Sequence, residues 1–214
     1  MRTKVGVLIS GRGSVALPLI EAARASGYPA DIALVLSNQP DAAGLGVAKM
    51  AGVATLAIDH RAFGKDREAH ERTMDAALRA AGVEFIALAG YMRILTPFFV
   101  HAWAGRMINT HPSLLPAFPG LHTHQRALEA GVKLHGCSVH WVVEGVDEGP
   151  LIGQAAVPVL AGDDEDTLRA RVQAAEQRLY PACLAAALRG QGAQADPTAV
   201  LFNPPAGRPT PGSA

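Results

Sequence analysis

The sequence predicts an α/β fold: a single domain with a mostly parallel, twisted sheet, helices on both faces, and an antiparallel strand pair toward the C-terminal part. Three observations predict it. Short apolar runs are continuous rather than alternating, as strands covered on both faces require. Longer amphipathic, Ala-rich stretches separate them, which is the rhythm of strands joined by right-handed helical crossovers. Further on, two strand-like runs follow one another with no helix between, so that pair reads as antiparallel. The chain's 214 residues suffice for one sizeable core.

The elements follow in order. Lys4–Ile9 (KVGVLI) reads as the first buried strand. Leu17–Ser26 is the first helix, with Pro18 early enough that its missing N–H costs little. Strand Ile32–Leu36, helix Ala42–Ala51, helix Ala69–Ala81 and strand Phe85–Ala89 continue the pattern. Met107–Thr110 is a short strand running into a proline-rich loop. Thr123–Ala130 is a short helix ended by Gly131. His135–Val143 and Leu151–Val157 are strands around the turn EGVDEGP. Asp163–Leu188 is a long helix whose acidic start suits the helix dipole, and Gly190 stops it. Residues 194–214 are rich in Pro, Gly and Ala and read as a loosely held tail after a domain spanning 1–193.

Composition narrows the function. Lys plus Arg and Asp plus Glu both number 19, so no basic excess points to nucleic acid. The two cysteines, Cys137 and Cys183, make neither a disulfide framework nor a CxxC metal or redox pair. The N-terminal apolar run is only about five residues, too short for a signal peptide or a membrane span. A reduced, cytoplasmic enzyme is the expectation.

The first strand runs into ISGRGSVALPL, a glycine turn that opens a helix. Such turns bring backbone N–H groups close to an anion. Gly11, Gly13 and Ala16 fit G-x-G-x-x-A, but the dinucleotide reading needs an acid after the second strand. That position reads SNQP (Ser37–Pro40), and Asp31 lies at the strand's wrong end. No Lys-Ser/Thr follows for a P-loop. One phosphate of a mononucleotide is the preferred ligand; a tight turn without ligand is the bland alternative.

In INTHPSLLPAFPGLHTH, strand alternation sends Asn109 and His111 to one side. They would project at a strand's carboxyl end, where ligands bind in open α/β sheets. Asn supplies a donor that does not titrate, and His an acid or base near neutral pH. The pair suits a reaction that builds an oxyanion and moves a proton, such as acyl transfer to an amine. No Ser or Cys nucleophile is evident, and Cys137 reads as core, so direct transfer is expected. Asp147, in a turn with Glu148, would favour the charged form of His111 if the two meet; an ordinary polar turn is the alternative. A metal held by His122, His124 and His111, His135 or His140 matches no familiar zinc spacing. No metal is expected. His60, His70 and His101 are read as structural.

These residues carry a resemblance. VLISGRGS, LSNQPDAAGLGVA, LAGYMRIL, INTHPSLLPAFPGLHTHQRALEAG, HGCSVHWVVEGVDEGPLIGQAAVPV and RVQAAEQRLYP occur in one order over roughly residues 4 to 190. In this the chain resembles the phosphoribosylglycinamide formyltransferases, 10-formyltetrahydrofolate-dependent enzymes of purine (IMP) synthesis with a Rossmann-like formyltransferase fold. The resemblance implies direct attack of the glycinamide ribonucleotide amine on the formyl carbon. Asn109 and His111 would stabilise the oxyanion, with His111 also assisting proton transfer and Asp147 pairing with it. Gly13, Ser14, Val15, Ala16 and Leu17 would hold the phosphate, and Glu176 the ribose. The folate co-substrate would lie along Met92, Arg93, Ile94 and Leu95, beside Asn109 and the turn Val143, Glu144, Gly145, Val146 and Asp147, with Arg67 near its glutamate tail. His122 and His124 would brace the loop.

The resemblance also implies small-molecule partners only, no nucleic acid or membrane, and a monomer or homodimer. There are departures: the family loop usually reads SGxGSN, with Val15 here in place of the Asn, and the tail has no clear counterpart. Methionyl-tRNA formyltransferase shares the Asn/His/Asp set but carries an extra C-terminal domain, and formyltetrahydrofolate deformylase carries an extra N-terminal one. A non-catalytic nucleotide-binding module would keep the glycine loop alone. An NADP-type reductase would need a reader after the second strand.

Overall fold

A computed structural model describes residues 1–190, so the tail expectation for 194–214 lies outside the described residues. Strand β1 (Thr3–Ile9) is the third strand of a seven-stranded sheet, between β2 (Ala30–Ser37) and β4 (Phe85–Leu88). The sheet order is β3-β2-β1-β4-β5-β6-β7, with β3 at Thr55–Ala57, β5 at Met107–His111, β6 at Leu134–Trp141 and β7 at Leu151–Pro158. Pairings from β3 through β5 are parallel; β5–β6 and β6–β7 are antiparallel.

Alternation along β1 divides the core. Val5, Val7 and Ile9 face one apolar layer with the helices α1 (Ala16–Ala23), α5 (Thr123–Glu129) and α6 (Glu165–Leu188). Leu8 faces the other, with Met74 and Leu78 of α3 (Arg67–Ala80) and Phe99 and Val100 of α4 (Pro97–Ala102). Both faces are thus dry, which is why the strands read as unbroken apolar runs. Helix α2 (Ala43–Met50) buries Gly44 and Ala48. Residues His60–Phe63 form a 3-10 turn.

The expected elements are present with end shifts of a few residues. Helix α6 begins at Glu165, because Asp164 acts as its N-cap and its side chain accepts from Thr167 N. Strand β3 and helix α4 were not expected from the sequence. Strand β3 is three residues long and mostly exposed, and α4 is six residues opened by Pro97. Both are too short to show a period.

Candidate active site

Strand β5 points Asn109 and His111 to one side and Thr110 to the other. The Thr110 hydroxyl donates to Glu176 Oε1 of α6 at 2.7 Å. On the Asn109 side, β6 runs antiparallel with His140 directly opposite Asn109, and Asn109 Nδ2 lies 3.4 Å from His140 Nε2. The β6–β7 register shifts between Val139 and His140, the kind of irregularity that re-aims a side chain.

Asp147 completes the group from the turn after β6. Its Oδ2 is 3.3 Å from His111 Nδ1, and its Oδ1 is 3.7 Å from His140 Nε2. Gly120 N donates to Oδ2 at 3.0 Å, which ties the turn to the proline-rich loop. Burial pushes the Asp147 carboxyl up, but the His140 hydrogen bond, the Gly120 amide and the neighbouring imidazoles outweigh it and hold the carboxyl below its ordinary value. The other ring nitrogen of His111, Nε2, lies 3.1 Å from Phe118 O. Both nitrogens therefore face oxygen acceptors, and only the protonated ring donates to both.

Backbone strain gathers here. Among the described residues, the non-glycine residues with left-handed φ are Phe118 (53°), His122 (56°) and Asp147 (58°), all in the two loops around the site. The loop is stapled from below. Ser138 Oγ donates to Ser113 O at 2.7 Å and accepts from Leu115 N at 3.0 Å, while Gln154 Nε2 donates to Leu115 O at 2.8 Å. His124 packs edge-on against His135, with ring centroids 5.3 Å apart. Both His122 and His124 line the cavity. His70, read as structural, is fully buried with Nε2 on Ile58 O at 2.9 Å.

A cavity of about 580 Å³ opens at this end of the sheet. Residues 92–95 and 143–147 line it together with Asn109, His111 and His140. Met92 and Ile94 are 71% and 61% exposed, so they present apolar surface to the opening rather than to the core. Arg67 lies beyond the lining, but its Nη1 reaches Ile94 O at 3.5 Å. From the sequence His140 is a metal-ligand option only, and no motif points to Glu165 or Arg169; all three line the cavity. Among the described residues no group of His, Cys, Asp and Glu is arranged to hold a metal.

The glycine loop stands apart from that lining, joined to it through Ser10. Met92 N donates to Ser10 Oγ at 2.8 Å, and Ser10 Oγ donates to Asn38 Oδ1 at 2.6 Å. Asn38 occupies the place where a dinucleotide site has its acid, and it is 2% exposed and turned inward. Gly13, at φ 69°, comes so close to α2 that an added Cβ would lie 2.8 Å from Gly44 Cα. The amides of Ala16 and Leu17 donate to Gly13 O at 3.0 and 3.3 Å. Val15, the departure from the family loop, is 6% exposed and packs into the core. Ser14 O accepts from Gln177 Nε2 at 3.0 Å, next to Glu176 on α6. Burial pushes the Glu176 carboxyl up, with only the Thr110 hydroxyl opposing.

The sheet and this site define a doubly wound α/β protein whose cluster of buried polar side chains lies at the carboxyl end of β5, the side of such a sheet on which ligand crevices form. Residues 3–184 match the Formyl transferase family, and the chain belongs to that family. It is 48% identical to the phosphoribosylglycinamide formyltransferase of Escherichia coli over 82% of each chain. It is 50% identical to the trifunctional purine biosynthetic protein adenosine-3 of Drosophila melanogaster over 88% of this chain, and spans 14% of that protein's length. The crystal structure of phosphoribosylglycinamide formyltransferase from Brucella melitensis superposes with a TM-score of 0.83 at 50% identity, covering 91% of this chain and 98% of that one. No helix among the described residues is long and apolar enough to cross a membrane.

Proposed function

We propose that the chain transfers the formyl group of 10-formyltetrahydrofolate to the amine of glycinamide ribonucleotide, a step of de novo purine synthesis, in the cytoplasm. The observation that carries this is the meeting of Asn109, His111 and Asp147, from β5 and a distant turn, at the wall of one cavity. The amine attacks the formyl carbon and its C=O electrons move to oxygen. Asn109 Nδ2 and the protonated His111 ring donate to that oxyanion, and Asp147 holds His111 in place. To reach the oxyanion, His111 Nε2 shares or gives up its contact with Phe118 O. The amine proton passes to the folate N10 by way of the His111–Asp147 pair as the C–N10 bond breaks, leaving formylated product and tetrahydrofolate.

The folate lies along residues 92–95 and 143–147, with Arg67 near its glutamate tail. The phosphate sits on the glycine loop. Because the Ala16 and Leu17 amides are engaged by Gly13 O, the amides of 13–15 are the better donors to it. The ribose takes Glu176. All these residues come from one chain, so both a monomer and a homodimer fit the reading.

The test is an assay of tetrahydrofolate formation from 10-formyltetrahydrofolate. Turnover that requires glycinamide ribonucleotide supports the proposal. Turnover without the amine points to a deformylase, and none under either condition points to a binding module.

A further inference from the structure

Residues 67, 71 and 74 of α3 are spaced four and three apart and so share one face of the helix. All three grip the same irregular stretch, residues 91–96, which supplies one wall of the cavity. Tyr91 OH donates to Met74 Sδ at 3.4 Å, and Arg67 Nη1 to Ile94 O at 3.5 Å. The third hold is buried as well, and it is the one made by a carboxyl group. Thr96 N lies 3.0 and 3.2 Å from the two Glu71 oxygens, and the Thr96 hydroxyl donates to Oε2. Glu71 is 2% exposed and Thr96 9%.

Burying a carboxylate is costly unless its hydrogen bonds are well made. Here they are spent on one residue. Thr96 is the N-cap of α4, yet its side chain makes no cap and turns to Glu71 instead. The stretch needs such a hold, because Met92 and Ile94 point toward the opening and anchor nothing in the core. Burial pushes the Glu71 carboxyl above its ordinary value, and the Thr96 hydrogen bonds, with the charges of Arg67 and Arg93, oppose that rise.

We propose that Glu71 is a positioning residue for the donor-binding wall, fixing residues 92–95 through Thr96 without touching substrate. This rests on the reading of that wall as the folate site. Asn109 and His111 are held on β5 beside β6, and the glycine loop is held by α2 and α6 and meets the wall only through Met92 N on Ser10 Oγ, so loss of Glu71 changes chiefly the response to the formyl donor.

Steady-state kinetics with 10-formyltetrahydrofolate and glycinamide ribonucleotide test it. Glu71→Ala raises the KM for the formyl donor about tenfold, the scale of one buried hydrogen-bonding group left unpaired. The KM for glycinamide ribonucleotide and kcat stay within about twofold to threefold of wild type by the same accounting. Glu71→Gln restores the donor KM, because its amide accepts from Thr96 N and donates to Thr96 Oγ1. Equal rises in both KM values, no rise, or a Gln variant no better than Ala overturns the inference. If Glu71→Ala does not fold, Thr96→Ala, which keeps the N–H and loses the hydroxyl, must show a smaller rise in the donor KM alone. A wild-type chain without turnover sinks the functional reading and this inference with it; wild-type turnover indifferent to Glu71 sinks this inference alone.

Discussion

Asp147 Oδ2 lies 3.3 Å from His111 Nδ1, with both side chains less than a tenth exposed. The contact spans two loops, and Asp147 makes it from a left-handed backbone conformation that most residues avoid. Asn tolerates that conformation and keeps the shape, but carries no charge. Asp147→Asn should therefore fold normally and lose about 10²–10⁴-fold in kcat, the range of a general acid–base contribution. Steady-state rates beside a thermal melt check this; a kcat within a few-fold of wild type removes Asp147 from the reaction.

Asn109 and His111 serve the same oxyanion in the proposed mechanism. Asn109→Ala or His111→Ala should each cost about 2.7–4 kcal/mol of transition-state stabilisation, the scale of one lost donor. Calorimetry should find tetrahydrofolate still bound, since the cavity wall along residues 92–95 is untouched. The double variant should lose less than the sum, because the two groups act as a unit. Unchanged turnover in His111→Ala refutes the mechanism.

Much of the architecture was legible because the chain is locally consistent. The apolar runs of β1, β2 and β4 are unbroken because helices cover both faces of the sheet. Strand alternation alone placed Asn109 and His111 together. The partner carboxylate was another matter. Asp147 shares no element with His111, and only the Gly120 N–H and the strained turn bring it in, which no spacing reveals. His140 was missed for a related reason: its contact with Asn109 depends on the antiparallel β5–β6 register. The run SNQP after β2 offers no acid for a dinucleotide, but the inward bond between Asn38 and Ser10 is a tertiary fact that the sequence does not reveal.

His135 gives the fold an acid-sensitive limb. Burial, reinforced by His124 and His111, lowers its pKa from 6.5 to about 4. As pH falls below about 6.5 the unfolded chain takes up a proton that the folded chain refuses, so stability drops until about pH 4 and then levels. Its Nε2 is 3.2 Å from His124 Nδ1, a contact that fails when both rings are charged. His135→Gln should flatten this limb by roughly 1–3 kcal/mol. Urea midpoints from pH 7 to pH 4 measure it; parallel curves for both proteins would show that His135 titrates alike in the folded and unfolded chains.

The glycine loop allows a last, separable prediction. Gly13 adopts φ 69°, and a Cβ there would meet the Gly44 backbone of α2 at 2.8 Å. Gly44 in turn donates its N–H to Gly11 O at 3.0 Å, so the α2 start and the loop hold each other and neither has room to retreat. An alanine at Gly13 thus carries both a left-handed backbone cost of about 1–2 kcal/mol and a steric one. Gly13→Ala should lower the melting temperature and weaken glycinamide ribonucleotide more than the folate, because the phosphate amides move and the wall at 92–95 does not. Gly11→Ala is the control: nothing lies within 4 Å of its added Cβ. Its stability should stay near wild type. Equal stability of the two variants would mean that the loop yields to the added methyl, and the cradle would then not be the rigid element on which phosphate binding depends.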